Sequence, residues 1–154
     1  MSGPARPTEL PAGLEARRVE TDVDTEALEA IDKKLLGFPR SHAQVGQLLE
    51  NREAYVFRRG GEAIGFAFVG AFGAGPLGAR DPADLPAILL HVEGRTHALG
   101  SDELELQVPG PAGIAMRHLL SRGYRISPFA NYLLSDRPFG QFDRFLGYNP
   151  PLFL

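Results

Sequence analysis

The carboxylates and amide of Glu103, Glu105 and Gln107 alternate with Leu104, Leu106 and Val108, which puts three polar side chains on one face of a strand and three apolar ones on the other. A carboxylate on a buried strand is costly unless it is paired or used as a base. Glu105 is therefore the candidate general base, with pairing to an arginine or exposure to solvent as the structural alternative. Tyr132 brings an ionisable hydroxyl and is the candidate proton donor, its alternative being a packed tyrosine. Asp81 and Asp84, either side of Pro82, can repel anions or, with further ligands, bind a metal, although capping of a helix accounts for both without further function. His42, His91, His97 and His118 are scattered, and His91 and His97 stand six apart, so they leave one helix on different faces. No zinc site is expected, and no other metal site either.

Those residues need elements to hold them. Leu28, Ile31 and Leu35 share a helical face, Glu29 reaches Lys33 at i,i+4, Asp24 offers a cap and Gly37 a stop, which predicts a helix over 24–36. Ser41-His42-Ala43-Gln44 has the spacing of a capping box for a second short helix carrying Val45, Leu48 and Leu49. His42, beside the Phe38-Pro39-Arg40 turn, either faces a substrate or sits on the surface. The β-rich run Ala54–Phe57, the pair Gly60-Gly61 and the alternation of Ile64, Phe66 and Phe68 predict an antiparallel hairpin. Gly65 and Ala67 leave one face of its second strand bare, the mark of a closely packed backbone. A short strand over 76–80 leads into a helix near 85–99, with Gly94 in its middle at a cost of about 1 kcal/mol against alanine and Gly100 at its end. A further helix spans 112–122 with Gly123 behind it. Strands are expected at 14–20, 124–126 and 129–134. Two strand–helix–strand crossovers should make some neighbours parallel.

Composition bounds the class. At 154 residues one domain with a substantial core is expected, and Lys+Arg 16 against Asp+Glu 19 lacks the basic excess of a nucleic-acid binder. Gly 18 and Pro 13 together make about a fifth of the chain against a usual share of about 12%, so many breaks are expected. The absence of cysteine removes disulfides and thiol nucleophiles and fits a cytoplasmic protein. No apolar run approaches the ~20 residues of a membrane span, and no membrane partner is expected. Residues 1–13, with Pro4, Pro7 and Pro11, read as a flexible lead-in to a single domain over 14–154. Its last stretch, 135–154, is aromatic and should wrap onto the body; with Phe129 it offers Phe139, Phe142, Phe145, Tyr148 and Phe153 for a pocket, core closure or a subunit interface. Arg137 and Arg144 either bind an anion there or, by default, sit in exposed salt bridges.

The order of elements resembles the GNAT superfamily of acyl-CoA N-acyltransferases over about 14–134. The likeness rests on Ile31-Asp32 ahead of Leu36-Gly37-Phe38-Pro39-Arg40, the hairpin from Tyr55 to Gly65-Phe66, the run Gly75-Pro76-Leu77-Gly78-Ala79 and the helix followed by Gly123-Tyr124. These look like the second half of tandem GNAT proteins. The resemblance implies a mixed α/β (α+β) fold whose mostly antiparallel twisted sheet has six to seven strands and about four flanking helices. It also implies acetyl-CoA as cosubstrate, with the pantetheine arm along Leu77, Gly78 and Ala79 and the pyrophosphate near Arg80. The acceptor, a small primary amine, would lie by Phe38, Arg40 and His42. The implied activity is N-acetyl transfer with Glu105 as base, and a catalytically silent ligand-binding or interaction module is the alternative. A homodimer, or pairing with another GNAT domain, is the expected protein partnership. The sequence departs from the family at Arg80-Asp81-Pro82-Ala83-Asp84-Leu85-Pro86, where the family's glycine loop would cradle phosphate, and at Leu119, where a tyrosine often stands.

Overall fold

A computed structural model describes residues 1–71 and 73–147, and at residue 42 only the backbone. Its seven strands and four helices run β1 (Ser2–Pro4), β2 (Leu14–Arg18), α1 (Asp22–Leu36), α2 (His42–Glu50), β3 (Glu53–Arg59), β4 (Glu62–Gly70), β5 (Gly73–Ala79), α3 (Leu85–Ala98), β6 (Glu103–Glu105), α4 (Gly113–Ser121) and β7 (Phe145–Leu146), with a 3-10 turn over Pro82–Asp84. Five strands form one sheet in the order β2-β3-β4-β5-β7, and β1 pairs with β6 in a second, two-stranded sheet. The fold is α+β. Among the described residues all the strand pairs are antiparallel, and the parallel neighbours expected from the crossovers are not among them. The reason is positional: after α3 the chain does not return to the edge of β5, because β7 pairs there and β6 pairs with β1.

Helices cover both faces of the large sheet. Leu28, Ile31, Leu35 and Leu36 of α1 and Leu48 of α2 pack on Val56, Phe66, Phe68 and Phe145. On the other face Leu85, Ile88, Leu89 and Val92 of α3 and Ala115 and Leu119 of α4 pack on Tyr55, Phe57, Ala67 and Leu77. Gly60 and Gly61, both at positive φ, close the β3–β4 hairpin. The bare face of β4 does meet backbone: a Cβ on Gly65 would stand 2.7 Å from the carbonyl oxygen of Gly78 and 2.5 Å from Ile88 Cδ1.

Several local expectations change. The cap of α1 is Thr21, whose hydroxyl oxygen accepts from the Asp24 N–H at 3.3 Å. Asp24 lies inside the first turn, fully buried, with Arg17 at 3.3 Å and Arg58 at 3.5 Å. Ser41 and Gln44 form the capping box as their spacing predicts. Residues 1–13 are not a loose lead-in. Ser2, Gly3 and Pro4 pair with Glu105, Leu104 and Glu103, Ser2 also bridges Arg125, Ala5 is buried, and the Thr8 hydroxyl donates to the Leu90 carbonyl at 2.5 Å. α3 runs unbroken through Gly94, which has no side chain because Thr8 crosses there and leaves no room for a Cβ. Prolines suit an extended segment as well as a flexible one, and nothing local distinguishes the two.

Candidate functional site

The segment that the sequence singles out for the cosubstrate is the edge of β5 and the start of α3. Leu77, Gly78 and Ala79 are buried, and their edge is taken by the chain itself: Leu77 faces Leu146 and Gly78 faces Phe145 across an antiparallel ladder. The Ala79 N–H donates to the Arg144 carbonyl at 3.1 Å. Arg144 also donates from its guanidinium to the Arg80 carbonyl at 2.9 Å and pairs with Asp143 at 2.9 Å. A Cβ on Gly78 would meet Leu35 Cδ1 at 2.5 Å and the Arg144 carbonyl at 3.3 Å, so glycine is what lets β7 and α1 close on this strand. Phe145 is completely buried, its ring 6.5 Å from Phe66 and 6.1 Å from Phe142. The β7 residues are thus core, anchored by their own side chains.

The start of α3 is acidic and short of donors. Asp81 accepts from the Ala83 N–H at 2.9 Å and so serves as a cap. Asp84 makes no capping bond, lies buried, and pairs with Arg59 at 2.8 Å. Pro82 and Pro86 contribute no N–H. Helix starts attract anions through free N–H groups and the positive end of the helix dipole, and two carboxylates with two prolines weaken both contributions. Arg80, the one cation expected to help, holds Glu62 at 2.7 Å.

Glu105 and Tyr132, the expected base and proton donor, both lie in solvent, on segments tied together by the Asn131 amide, which donates to the Gln107 side-chain oxygen at 3.3 Å. Glu105 sits on β6 of the small sheet and is exposed, not central in a sheet interior. The Met1 amine, which donates to the Leu106 carbonyl at 2.7 Å, has its pKa lowered by burial, with the Glu105 charge opposing the shift. Tyr132 is 88% exposed and in no strand, because 129–134 finds no partner strand among the described residues.

On the opposite side of the sheet, Phe38 and Arg40 do come together with the aromatic end, but as structure. Phe38 is half-buried with its ring 6.2 Å from Phe139, and the Arg40 guanidinium lies 5.9 Å from the centre of the Phe145 ring. Arg40 pairs with Asp32 at 2.7 Å, both side chains almost wholly enclosed. Burial pushes the Asp32 carboxyl up while Arg40 pulls it back. The expected role of the His42 side chain, like those of Tyr148 and Phe153, lies outside the described residues.

Sequence reading missed a polar clasp that ties α3 to the sheet. Glu53 accepts from Arg95 at 2.5 and 2.9 Å and from the Tyr55 hydroxyl at 2.8 Å, and Arg18 stands at 3.1 Å. Bonding to Arg95 holds the Glu53 carboxyl down at about 2, and burial pushes Tyr55 up to about 12. His91 lies edge-on to Tyr55 and Phe57, centroids 4.5 and 5.2 Å away, and burial lowers it to about 4. Glu53 and Tyr55 share a strand face at i,i+2 and His91 and Arg95 a helix face at i,i+4, which was the available signal. A fully engaged carboxylate and a neutral imidazole make a fastening, and no proton relay follows from them. Among the described residues no group of three or more His, Asp or Glu side chains is placed to hold a metal, and no helix is long and apolar enough to cross a membrane.

No family model matches the chain, and no curated protein matches it. Two solved structures do, both of TTHA1254 from Thermus thermophilus. A point mutant shares 19% identity with a TM-score of 0.57, covering 80% of this chain and 99% of that one. The wild type shares 17% with a TM-score of 0.57, covering 80% and 98%. The likeness is one of fold.

Proposed function

We propose that this chain is a catalytically silent, GNAT-like interaction module. One observation carries the reading: the backbone edge of Leu77–Ala79, where the family resemblance expects an extended pantetheine arm, is hydrogen-bonded to the chain's own Arg144 and β7. An edge strand binds an extended ligand through free N–H and C=O groups, and these are engaged. The acidic, proline-bearing start of α3 and the exposure of both Glu105 and Tyr132 support the same reading. Calorimetric titration of the full chain with acetyl-CoA tests it. The expected result is no saturable heat up to millimolar ligand, and a saturable isotherm overturns it.

N-acetyl transfer from acetyl-CoA to a primary amine is the second reading. It is favoured by the placement of β5 and β6, which flank α3 in sequence yet belong to different sheets; the GNAT resemblance implies a fourth strand that splays from the fifth, with the pantetheine arm between them. In that reaction the amine nitrogen attacks the thioester carbonyl, loses a proton to a base, and expels the thiolate, which takes up a proton. Thiol release from acetyl-CoA that depends on added amine establishes this reading and ends the first.

A further inference from the structure

We propose that residues 126–138 are a cleavable linker, and that cutting it opens the edge of β5 to an extended peptide carrying a Phe-Leu pair, an inference that rests on the interaction-module reading and names the module's partner. Residues 125–138 are exposed throughout. Among the described residues no backbone hydrogen bond joins 126–138 to another segment. The Phe129 N–H donates to the Ser127 hydroxyl and the Asn131 amide to the Gln107 side-chain oxygen, both at 3.3 Å on the open surface. The two ends, by contrast, are fixed. Arg125 exchanges backbone bonds with Ser2 at 2.8 and 3.0 Å, and the Gln141 N–H donates to the Leu35 carbonyl at 2.7 Å. An exposed stretch whose backbone is free of such bonds is where an endopeptidase draws a chain into its cleft. Phe129, Tyr132, Leu133 and Leu134, exposed by 88%, 88%, 48% and 89%, suit an enzyme of chymotrypsin-like preference. The step is hydrolysis: one peptide C–N bond breaks, and water gives its hydroxyl to the new carboxyl and its hydrogen to the new amine.

What the linker holds in place is a ligand in all but connectivity. Phe145 and Leu146 meet Gly78 and Leu77 across a short ladder, and the Arg144 carbonyl accepts from the Ala79 N–H at 3.1 Å. Main-chain pairing of this kind takes any extended segment, and pockets for successive side chains choose among them. Neighbouring strand residues point to opposite faces, so the pair is read twice. Phe145 enters the core on the α1 side, its ring 6.5 Å from Phe66 and 5.9 Å from the Arg40 guanidinium, while Leu146 enters the core on the α3 side. Both are fully buried. Gly78 keeps the approach clear, since a Cβ there would stand 3.3 Å from the Arg144 carbonyl. While the linker is whole, this segment is present at an effective concentration of about 1 mM, and a partner at about 1 μM competes at a roughly thousandfold disadvantage. Cutting removes that advantage and leaves the groove formed.

Brief digestion of the native full chain with chymotrypsin, followed by mass spectrometry, should place the first cut between 126 and 136, and the cut chain should keep its far-UV circular dichroism. A fluorescein-labelled synthetic peptide of residues 138–147 then reports on the groove by fluorescence polarisation. It should bind the cut chain, and bind the intact chain roughly a hundred- to a thousandfold more weakly. The same peptide with Phe145→Ala and Leu146→Ala should lose at least about a hundredfold in affinity for the cut chain, a comparison that leaves the protein untouched. A first cut elsewhere, a cut chain that unfolds or binds no peptide, equal binding by intact and cut chains, or indifference to the Phe-Leu pair overturns the proposal. So does a cut chain that takes acetyl-CoA and not the peptide. A saturable acetyl-CoA isotherm on the intact chain ends the module reading instead, while the linker and groove stand or fall by the peptide.

Discussion

Arg40→Met removes one half of an enclosed ion pair and keeps an apolar stem of similar length. Arg40 and Asp32 side chains are 2% and 3% exposed, with Nε to Oδ2 at 2.7 Å and a second contact at 3.4 Å. Breaking such a pair costs about 3–5 kcal/mol because the remaining charge has no partner. For a domain of this size about 1 kcal/mol corresponds to about 2–4 °C in Tm, so a fall of about 10 °C is expected. The pH dependence is the sharper readout. Asp32 already has a carboxyl raised by burial, and without Arg40 it rises further. A carboxyl with a folded pKa above its unfolded one weakens the fold as pH climbs through that window, and the penalty disappears below it. The deficit of the variant relative to the parent should therefore shrink as pH falls from 7 to 5, by no more than about 1.4 kcal/mol per pH unit. Urea unfolding of both proteins at each pH measures it, and groups common to both cancel in the difference. Asp32→Asn added to Arg40→Met should recover most of the loss. A deficit under about 1 kcal/mol at pH 7, or one indifferent to pH, refutes the reasoning.

The fold makes other predictions. His91 stays neutral down to about 4, well below its usual 6.5, so the unfolded chain takes up a proton first and stability falls between those values by on the order of 1–3 kcal/mol. His91→Gln should flatten that acid-side slope in urea titrations, leaving the smaller share from His118, which is lowered in the same direction; an unchanged slope counts against the burial of His91. Gly65→Ala drives a methyl toward Ile88 and the Gly78 carbonyl and should cost about 1–3 kcal/mol, whereas Gly46→Ala, in an exposed turn of α2 with open space around it, should add about 0.5–1 kcal/mol. Equal thermal shifts for the two glycines would show that the β4–β5 contact is looser than described.

What the sequence made legible was local. The capping box at Ser41, the Gly60-Gly61 hairpin, the stripe of α1 and the bare face at Gly65 each follow from a few neighbouring residues, and the structure has them. The edge of β5 did not follow, because its partner β7 is a two-residue strand more than sixty positions away, hidden in a Pro- and Gly-rich stretch without alternation. Glu105 was misplaced for the same reason. Its alternation with Leu104 and Leu106 is real, and Leu104 and Leu106 are buried, but only the arrival of β1 decides that this strand stands in a small outer sheet with its carboxylates in solvent. Tyr132 and its neighbours have the composition of a strand, and composition cannot say whether a mate is supplied by the same molecule. The Glu53 clasp joins residues from β2, β3 and α3, a convergence that exists only after folding.

The threading of β1 between Glu105 and Arg125 sets a clock on biogenesis. Ser2 is translated more than a hundred residues ahead of both of its mates. At about 5–20 residues per second that is a wait of roughly 6–25 s, during which the hairpin and α1 can already have settled. The small sheet is thus a seam closed well after the β3–β4 hairpin and α1, at the entropic expense of a very long loop, and thermal stress should open it early.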